Sequence, residues 1–498
     1  SPNPSPLRRE GNKALSEIKT LDERWLEFAW RTEGVFAAHP YMIPIRQAVF
    51  KSLVEKRESL SVKEQAKQWA KLALKREQSQ GDLSPADVVF WLDLSREVLI
   101  DAVLPVIREI QAAGLKTALI ASPSVYKQLD PALKPILFQV PYRWRTSGKW
   151  RRGWEALRRV FPQDLGTESF AAFCDMGYDS DNAVAEIKRL FSAIKPRLLV
   201  LPADHFLPGS AACLAAREMG VESLVLLHGA VSPYNAPLTA DKMAVWGEVS
   251  KDQMTLMGVP AEKLVVLGSP RHDYFPVQTT DAKQQLKAAI GLRDLPTVVF
   301  FSNGNDIRRN SREAVEGCAA WLNEAARALY DQMNFAVRLH PNEDGSLYAG
   351  MSYLRVFKHE ADLATTLSAA DVCAALCSTT LVDALLYHKP VLQLYADGWP
   401  DLADNWRRGL SKRISNAGEL TAFLQAGLAD RAVWATLADE QAAKIGSVFA
   451  NHGRATAAVA GYVVDQVKLL TPQPPLPQVE RGSRTEVVSS AVLQGEGE

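Results

Sequence analysis

Val88-Val89-Phe90-Trp91-Leu92, the amphipathic stretch 96–113 and Thr117-Ala118-Leu119-Ile120-Ala121 decide how this chain folds. Two short apolar runs, rich in β-branched and aromatic residues, flank a segment with helical hydrophobic spacing. Strand, helix and strand within about 35 residues make a βαβ unit, and such a crossover joins parallel strands. The runs are apolar throughout rather than alternating, as in a sheet covered by helices on both faces.

The same pattern continues outward. Residues 187–194 are helical, Leu198-Leu199-Val200-Leu201 is a strand, 211–219 is helical and Leu224-Val225-Leu226-Leu227 is a strand. Beyond Gly268-Ser269-Pro270 and the polar stretch 278–283, a second series begins with Val298-Val299-Phe300-Phe301. It runs through helix 311–332, strand 335–339, helix 361–369, strand 372–376, helix 380–387 and strand 391–394, then closes with helices over 417–470. The expected fold class is α/β, with two doubly wound, Rossmann-like domains over 85–275 and 285–470. Upstream, Trp25, Leu26, Phe28, Ala29, Val49, Phe50 and Leu53 recur at helical spacing, so 1–84 reads as a helical extension packed on the first domain. The tail 471–498, with Pro472, Pro474, Pro475 and Pro477, reads as disordered.

Composition excludes several classes. The 498 residues carry 57 Lys+Arg against 57 Asp+Glu, with 47% hydrophobic and 23% charged residues. That argues against wholesale disorder, collagen and coiled coil. It also argues against a dedicated nucleic-acid binder, which carries a basic excess. No apolar run is long enough to span a bilayer, and 1–10 lacks the apolar core of a signal peptide. The five scattered cysteines read as reduced thiols, so a cytoplasmic location is expected. Cys373 and Cys377 lack a nearby His to complete a zinc set, and no metal or cofactor is expected.

In open parallel sheets, ligands bind beyond the carboxyl ends of the strands. Those ends carry Asp204-His205, His228-Gly229, Ser302-Asn303-Gly304 with Arg308 and Arg309 beyond, His340-Pro341, and Ser378-Thr379-Thr380. The last opens a helix, where hydroxyls and unpaired N–H groups suit an anion, or simply cap the helix. Ser302-Asn303-Gly304 with Arg308 is a second phosphate cradle. His340 and His228 are either phosphate- or proton-handling groups or parts of structural turns. Asp204 supplies a carboxylate for base or nucleophile chemistry, or sits in a solvated turn. No P-loop and no dinucleotide fingerprint follows a strand, which argues against an ATPase or a dehydrogenase.

Taken in order, the series is His228-Gly229, Val245-Trp246-Gly247-Glu248, Gly268-Ser269-Pro270-Arg271-His272-Asp273, Arg338-Leu339-His340-Pro341, Ala369-Ala370-Asp371-Val372, Ser378-Thr379-Thr380 with Asp383, and Lys389-Pro390-Val391. Over roughly 85–400 it resembles bacterial GT-B transferases of surface polysaccharide synthesis. Two branches are similar: CMP-sugar transferases for Kdo and sialic acid, and the teichoic-acid type that uses CDP-glycerol or CDP-ribitol. The resemblance implies a GT-B fold and a glycosyltransferase moving a sugar from a CMP-linked donor to a glycan or lipid-linked acceptor. The alternatives are a CDP-polyol phosphotransferase, a UDP-sugar epimerase or transferase on the same scaffold, and a non-catalytic glycan-binding module. It implies that His340 with Pro341 contacts the donor phosphate, and that Ser378 and Thr379 lie near the nucleotide phosphates. Asp383 would lie near the ribose or simply pack, and His228 would be a base or phosphate ligand. Glu343-Asp344-Gly345 directly follows His-Pro, unlike the acidic motif of the sialic-acid branch, which lies well upstream of it.

One charge cluster breaks the balance. Residues 142–159 hold seven basic residues, Arg143, Arg145, Lys149, Arg151, Arg152, Arg158 and Arg159, with Glu155 the one acid. Trp144, Trp150 and Trp154 are interleaved. Basic residues with indoles suit an anionic acceptor or a peripheral contact with the inner face of the cytoplasmic membrane. The bland alternative is a solvated helix whose tryptophans pack inward.

Overall fold

The computed structural model describes residues 21–55, 78–93, 97–141, 148–162, 165, 169–277, 279–302, 312–341, 343–399 and 405–470. Every apolar run named above finds parallel neighbours. The first sheet holds β1 (Val88–Leu92), β2 (Thr117–Ala121), β3 (Ile136–Leu137), β4 (Leu198–Leu201), β5 (Glu222–Leu226), β6 (Lys242–Val245) and β7 (Leu264–Val266). The second holds β8 (Thr297–Phe301), β9 (Asn334–Arg338), β10 (Leu354–Phe357), β11 (Val372–Ala375), β12 (Val391–Leu394) and β13 (Lys412–Ile414). Their orders are β3-β2-β1-β4-β5-β6-β7 and β10-β9-β8-β11-β12-β13. All pairings between these strands are parallel. Each sheet therefore reverses direction once, between β1 and β4 and between β8 and β11, and these are the ligand-binding switch points of doubly wound sheets. The central strands β1, β4, β8, β11 and β12 are buried along their whole length, as helices on both faces require.

The helical extension makes a core of its own. Helices α1 (Leu21–Ala38) and α2 (Arg46–Glu55) pack against α3 (Gly148–Val160) and α4 (Ser169–Ile194). Trp25, Phe28, Phe50, Trp150, Trp154, Phe161 and Phe173 are buried together there. Phe28 stacks on Phe161 at 5.7 Å. Full burial of such a side chain contributes roughly 1.5–3 kcal/mol. The sequence pattern shows only the end of α4, because its first half follows this second core (Phe173), while Ile187, Leu190, Phe191 and Ile194 follow the sheet.

The end of the chain departs from expectation. Helix 455–469, expected with the second domain, packs on the first. Its stripe Val459, Ala460, Val463 and Val467 joins Val88, Phe90, Val103 and Ile107. The apolar period is right, but its partner is a face that the first domain leaves open. Among the described residues no helix is long and apolar enough to cross a membrane.

Candidate functional site

In the second domain, the ends of β8 and β9 are tied to one another. Ser302 Oγ accepts from the His340 backbone N–H at 2.8 Å and donates to Glu343 Oε2. Ser302 and Glu343 are both buried, so Ser302 braces the His-Pro turn from beneath instead of forming a phosphate cradle. Glu343 is a residue that sequence reasoning set aside. His340 and Pro341 stand exposed on top of that brace. Burial, then the Glu343 charge, push the Tyr348 hydroxyl well above its ordinary range. Asn303, Gly304 and Arg308 lie outside the described residues.

Past β11, Ser378, Thr379 and Thr380 are half-buried at the start of the seven-residue helix Thr380–Leu386. Ser378 Oγ accepts from Thr380 N–H at 3.2 Å. The helix is short, so hydroxyls and N–H groups, not a long dipole, are what this turn offers an anion.

Asp383, one turn further, has the packing role of the two expected for it. It is buried, its Oδ1 accepts from His272 Nε2–H at 2.9 Å, and Arg271 lies 3.8 Å from its Oδ2. His272 is fully buried and its Nδ1 accepts from the Ser269 hydroxyl at 2.6 Å. Burial holds the His272 pKa below its ordinary value against the opposing pull of Asp383, which fits a neutral ring bonded at both nitrogens.

The whole motif Gly268-Ser269-Pro270-Arg271-His272-Asp273 is thereby explained as a seam between the domains. Gly268 has φ +94°, and a Cβ there would stand 2.1 Å from the Ala450 carbonyl oxygen. A Cβ on Gly247 would stand 2.4 Å from the Ser447 carbonyl oxygen, and Ala450 N–H donates to the Trp246 carbonyl at 2.8 Å. Asp273 accepts from the N–H groups of Ala455 and Thr456, capping α5 (Ala455–Leu469). Trp246 and Phe449 pack on the His272 ring at 5.0 and 4.5 Å.

A cavity opens in this seam. It is lined from the first domain by Ala230, Val231 and Ser250, and from the second by Cys377, Ser378 and Asn405. Its volume of about 40 Å³ is far below a closed ligand pocket of roughly 300 Å³ or more.

In the first domain, His228 follows β5 and is half-buried; its Nδ1–H donates to the Pro202 carbonyl at 2.6 Å. That bond fixes the ring and makes Nε2 the basic nitrogen of the neutral tautomer. Asp204 corrects an expectation. Its Oδ2 accepts from the N–H groups of Thr239 (2.6 Å) and Ala240 (2.9 Å), and it is 1% exposed. It pins a loop and cannot attack a substrate. The Arg46 guanidinium from α2 is half-buried near it; desolvation draws the Arg46 pKa down to about 10, opposed by Asp204. Sequence reasoning missed Asp93, immediately after β1. Its carboxyl is buried and pushed up to about 6 by desolvation. The signal available was its place: it is the first residue after β1, at the switch point.

The basic cluster divides. Lys149 pairs with Asp181, and Trp150 is fully buried with its Nε1–H donating to Asp181 Oδ2 at 2.9 Å. Trp150 is no acceptor contact, because the indoles at 150 and 154 face the extension's core. Arg151, Arg152, Arg158 and Arg159 are exposed. Arg143, Trp144 and Arg145 lie outside the described residues. Among the described residues no cluster of His, Cys, Asp and Glu is arranged to hold a metal ion. Burial pushes the Cys373 thiol up to about 12, as for a packed apolar residue.

Two facing Rossmann-like sheets, joined by a seam and a returning C-terminal helix, define a GT-B glycosyltransferase-like fold. Solved structures share it. Staphylococcus aureus MnaA with UDP superposes with a TM-score of 0.51 at 12% identity, over 78% of this chain and 99% of that one. The Neisseria meningitidis UDP-GlcNAc 2-epimerase bound to UDP-GlcNAc gives 0.50 at 14% identity, over 77% and 100%. Anabaena HepE in complex with UDP and glucose gives 0.50 at 13% identity, over 77% and 99%. At such identities the likeness is one of fold. No protein-family model and no curated protein matches the chain.

Proposed function

We propose that the chain is a nucleotide-sugar-dependent glycosyltransferase, with the nucleotide on the second domain and the accepting hydroxyl on the first. The observation that carries this reading is the seam cavity, which joins Ala230 and Val231, just past His228-Gly229, to Ser378. It sets the segment that follows His228-Gly229 against the Ser378 turn, in the region where doubly wound sheets take ligands. In this reading His340 and the hydroxyls of Ser378, Thr379 and Thr380 hold the phosphates. His228 meets the phosphates from the opposite domain. Their task is to stabilise the charge that develops on the departing nucleotide.

We take the nucleotide as UDP. The three solved structures above carry UDP or UDP-GlcNAc by their titles, which supports a uridine nucleotide over the cytidine nucleotide that the sequence resemblance implies. A panel of UDP-, CDP- and CMP-linked sugars tests the assignment by binding and donor consumption. UDP-linked sugars should bind and be consumed. Binding confined to cytidine donors would return the reading to the CMP or CDP branch, and binding by none would refute enzymatic use of nucleotide sugars. Epimerisation is the second reading, favoured by superposition over the full length of an epimerase chain. Inversion of UDP-GlcNAc at C2 without any acceptor would establish it.

A further inference from the structure

The first sheet's switch point holds two ionisable side chains that the fold leaves incompletely bonded. Asp93 directly follows β1 and His205 lies just past β4, and these strands are neighbours across the reversal of strand order. Asp93 is 8% exposed, and its Oδ2 accepts from the Gly209 backbone N–H at 2.8 Å. Its Oδ1 is buried without a hydrogen-bond partner, and so is His205 Nδ1. Native folds rarely leave buried polar atoms in this state unless something uses them. His205 keeps 10% of its side chain exposed, while its Nδ1 lies 3.8 Å from Asp204 Oδ1. Its buried Nδ1 therefore faces Asp204. Desolvation pushes the Asp93 carboxyl up to about 6, opposed first by the nearby Trp91 indole N–H, then by backbone N–H groups including that of Gly209, and least by His205. The other ionisable groups around the pair are Asp204, Arg46 from α2, and Cys213 and Arg217 from the helix Gly209–Glu218.

We propose that His205 is the proton acceptor of the first-domain half-site and that Asp93 and Asp204 position it. The inference rests on the transferase reading and names the base that reading requires. The acceptor hydroxyl gives its proton to His205 Nε2, and its oxygen bonds to the anomeric carbon. The bond from that carbon to the phosphate oxygen breaks, and its electron pair leaves with the nucleotide phosphate. The imidazolium lies beside carboxylates that stabilise it, then returns the proton to water. Hydrogen bonds of this kind are often long before substrate binds.

The test is donor hydrolysis, with water standing in for the acceptor, using UDP-glucose and UDP-GlcNAc from about pH 5 to about pH 9. UDP binding and thermal melting are followed in parallel for the wild type, His205→Gln, Asp93→Asn and His228→Gln. His205→Gln should lower kcat by about 100-fold while UDP affinity stays within about threefold. Asp93→Asn keeps an acceptor for Gly209, so it should fold; it should lower kcat by about tenfold and shift the acid limb of the pH profile. It should also melt higher than the wild type near pH 8, because a buried carboxyl with a raised pKa opposes folding once it ionises. The proposal is overturned if His205→Gln retains kcat within about threefold, or if only His228→Gln loses activity. It is also overturned if Asp93→Asn melts lower with an unchanged pH profile, the result of a cap and nothing more. Intact UDP binding with those results leaves the transferase reading standing, whereas a wild type that binds none of the UDP-, CDP- or CMP-linked donors sinks both.

Discussion

Asp204 Oδ2 takes two backbone N–H groups, from Thr239 and Ala240, at 2.6 and 2.9 Å. Its place after β4 suggested chemistry, but its bonds assign it to the loop. Asp204→Ala should leave two buried donors unpaired and destabilise the fold by about 2–4 kcal/mol, read by denaturant unfolding. The folded fraction should still bind UDP as the wild type does. An Asp204→Ala protein as stable as the wild type would contradict the loop assignment. Ser302 and Glu343 repeat the lesson in the second domain, where they support the His340 turn from below. A sequence shows which polar residues follow a strand. It does not show which of them backbone donors have already engaged.

At the scale of elements, the long buried strands were legible because an apolar run of four or five residues between turn signals has few other readings. The short edge strands were not. β10 is exposed at its two middle residues, and β13 has one buried residue of three. Nothing in their composition separates them from loops. Helix α3 was legible as basic and aromatic, but its two faces separate only in three dimensions. Trp150, Trp154 and Leu157 turn inward, while Arg151, Arg152, Arg158 and Arg159 form a stripe two turns long on the outside. Four guanidinium groups on one helix face suit anionic headgroups or an anionic acceptor. Replacing all four with Gln should abolish salt-sensitive retention on vesicles containing anionic lipid and leave UDP affinity unchanged. Equal retention of the variant would remove this face from the account.

At the scale of the molecule, the two sheets act as one because of the seam. Gly247, Gly268, His272, Asp273 and Asp383 each have a structural task there, in contact with the other domain or with the segment 447–456. These residues were legible as a recurring series but not as a joint, since their partners lie more than a hundred residues away. The candidate site was legible only in part, through His228, His340 and Ser378. Asp93 gave no local pattern, and its burial against the Gly209 N–H is a product of tertiary structure. The central claim is that this joined pair of domains takes a uridine nucleotide against the second sheet. Calorimetric titration of the full chain with UDP tests it most directly. Saturable binding, weakened about tenfold or more when His340→Ala and Ser378→Ala are combined, is the predicted result. No binding, or binding undiminished in the double variant, would contradict it.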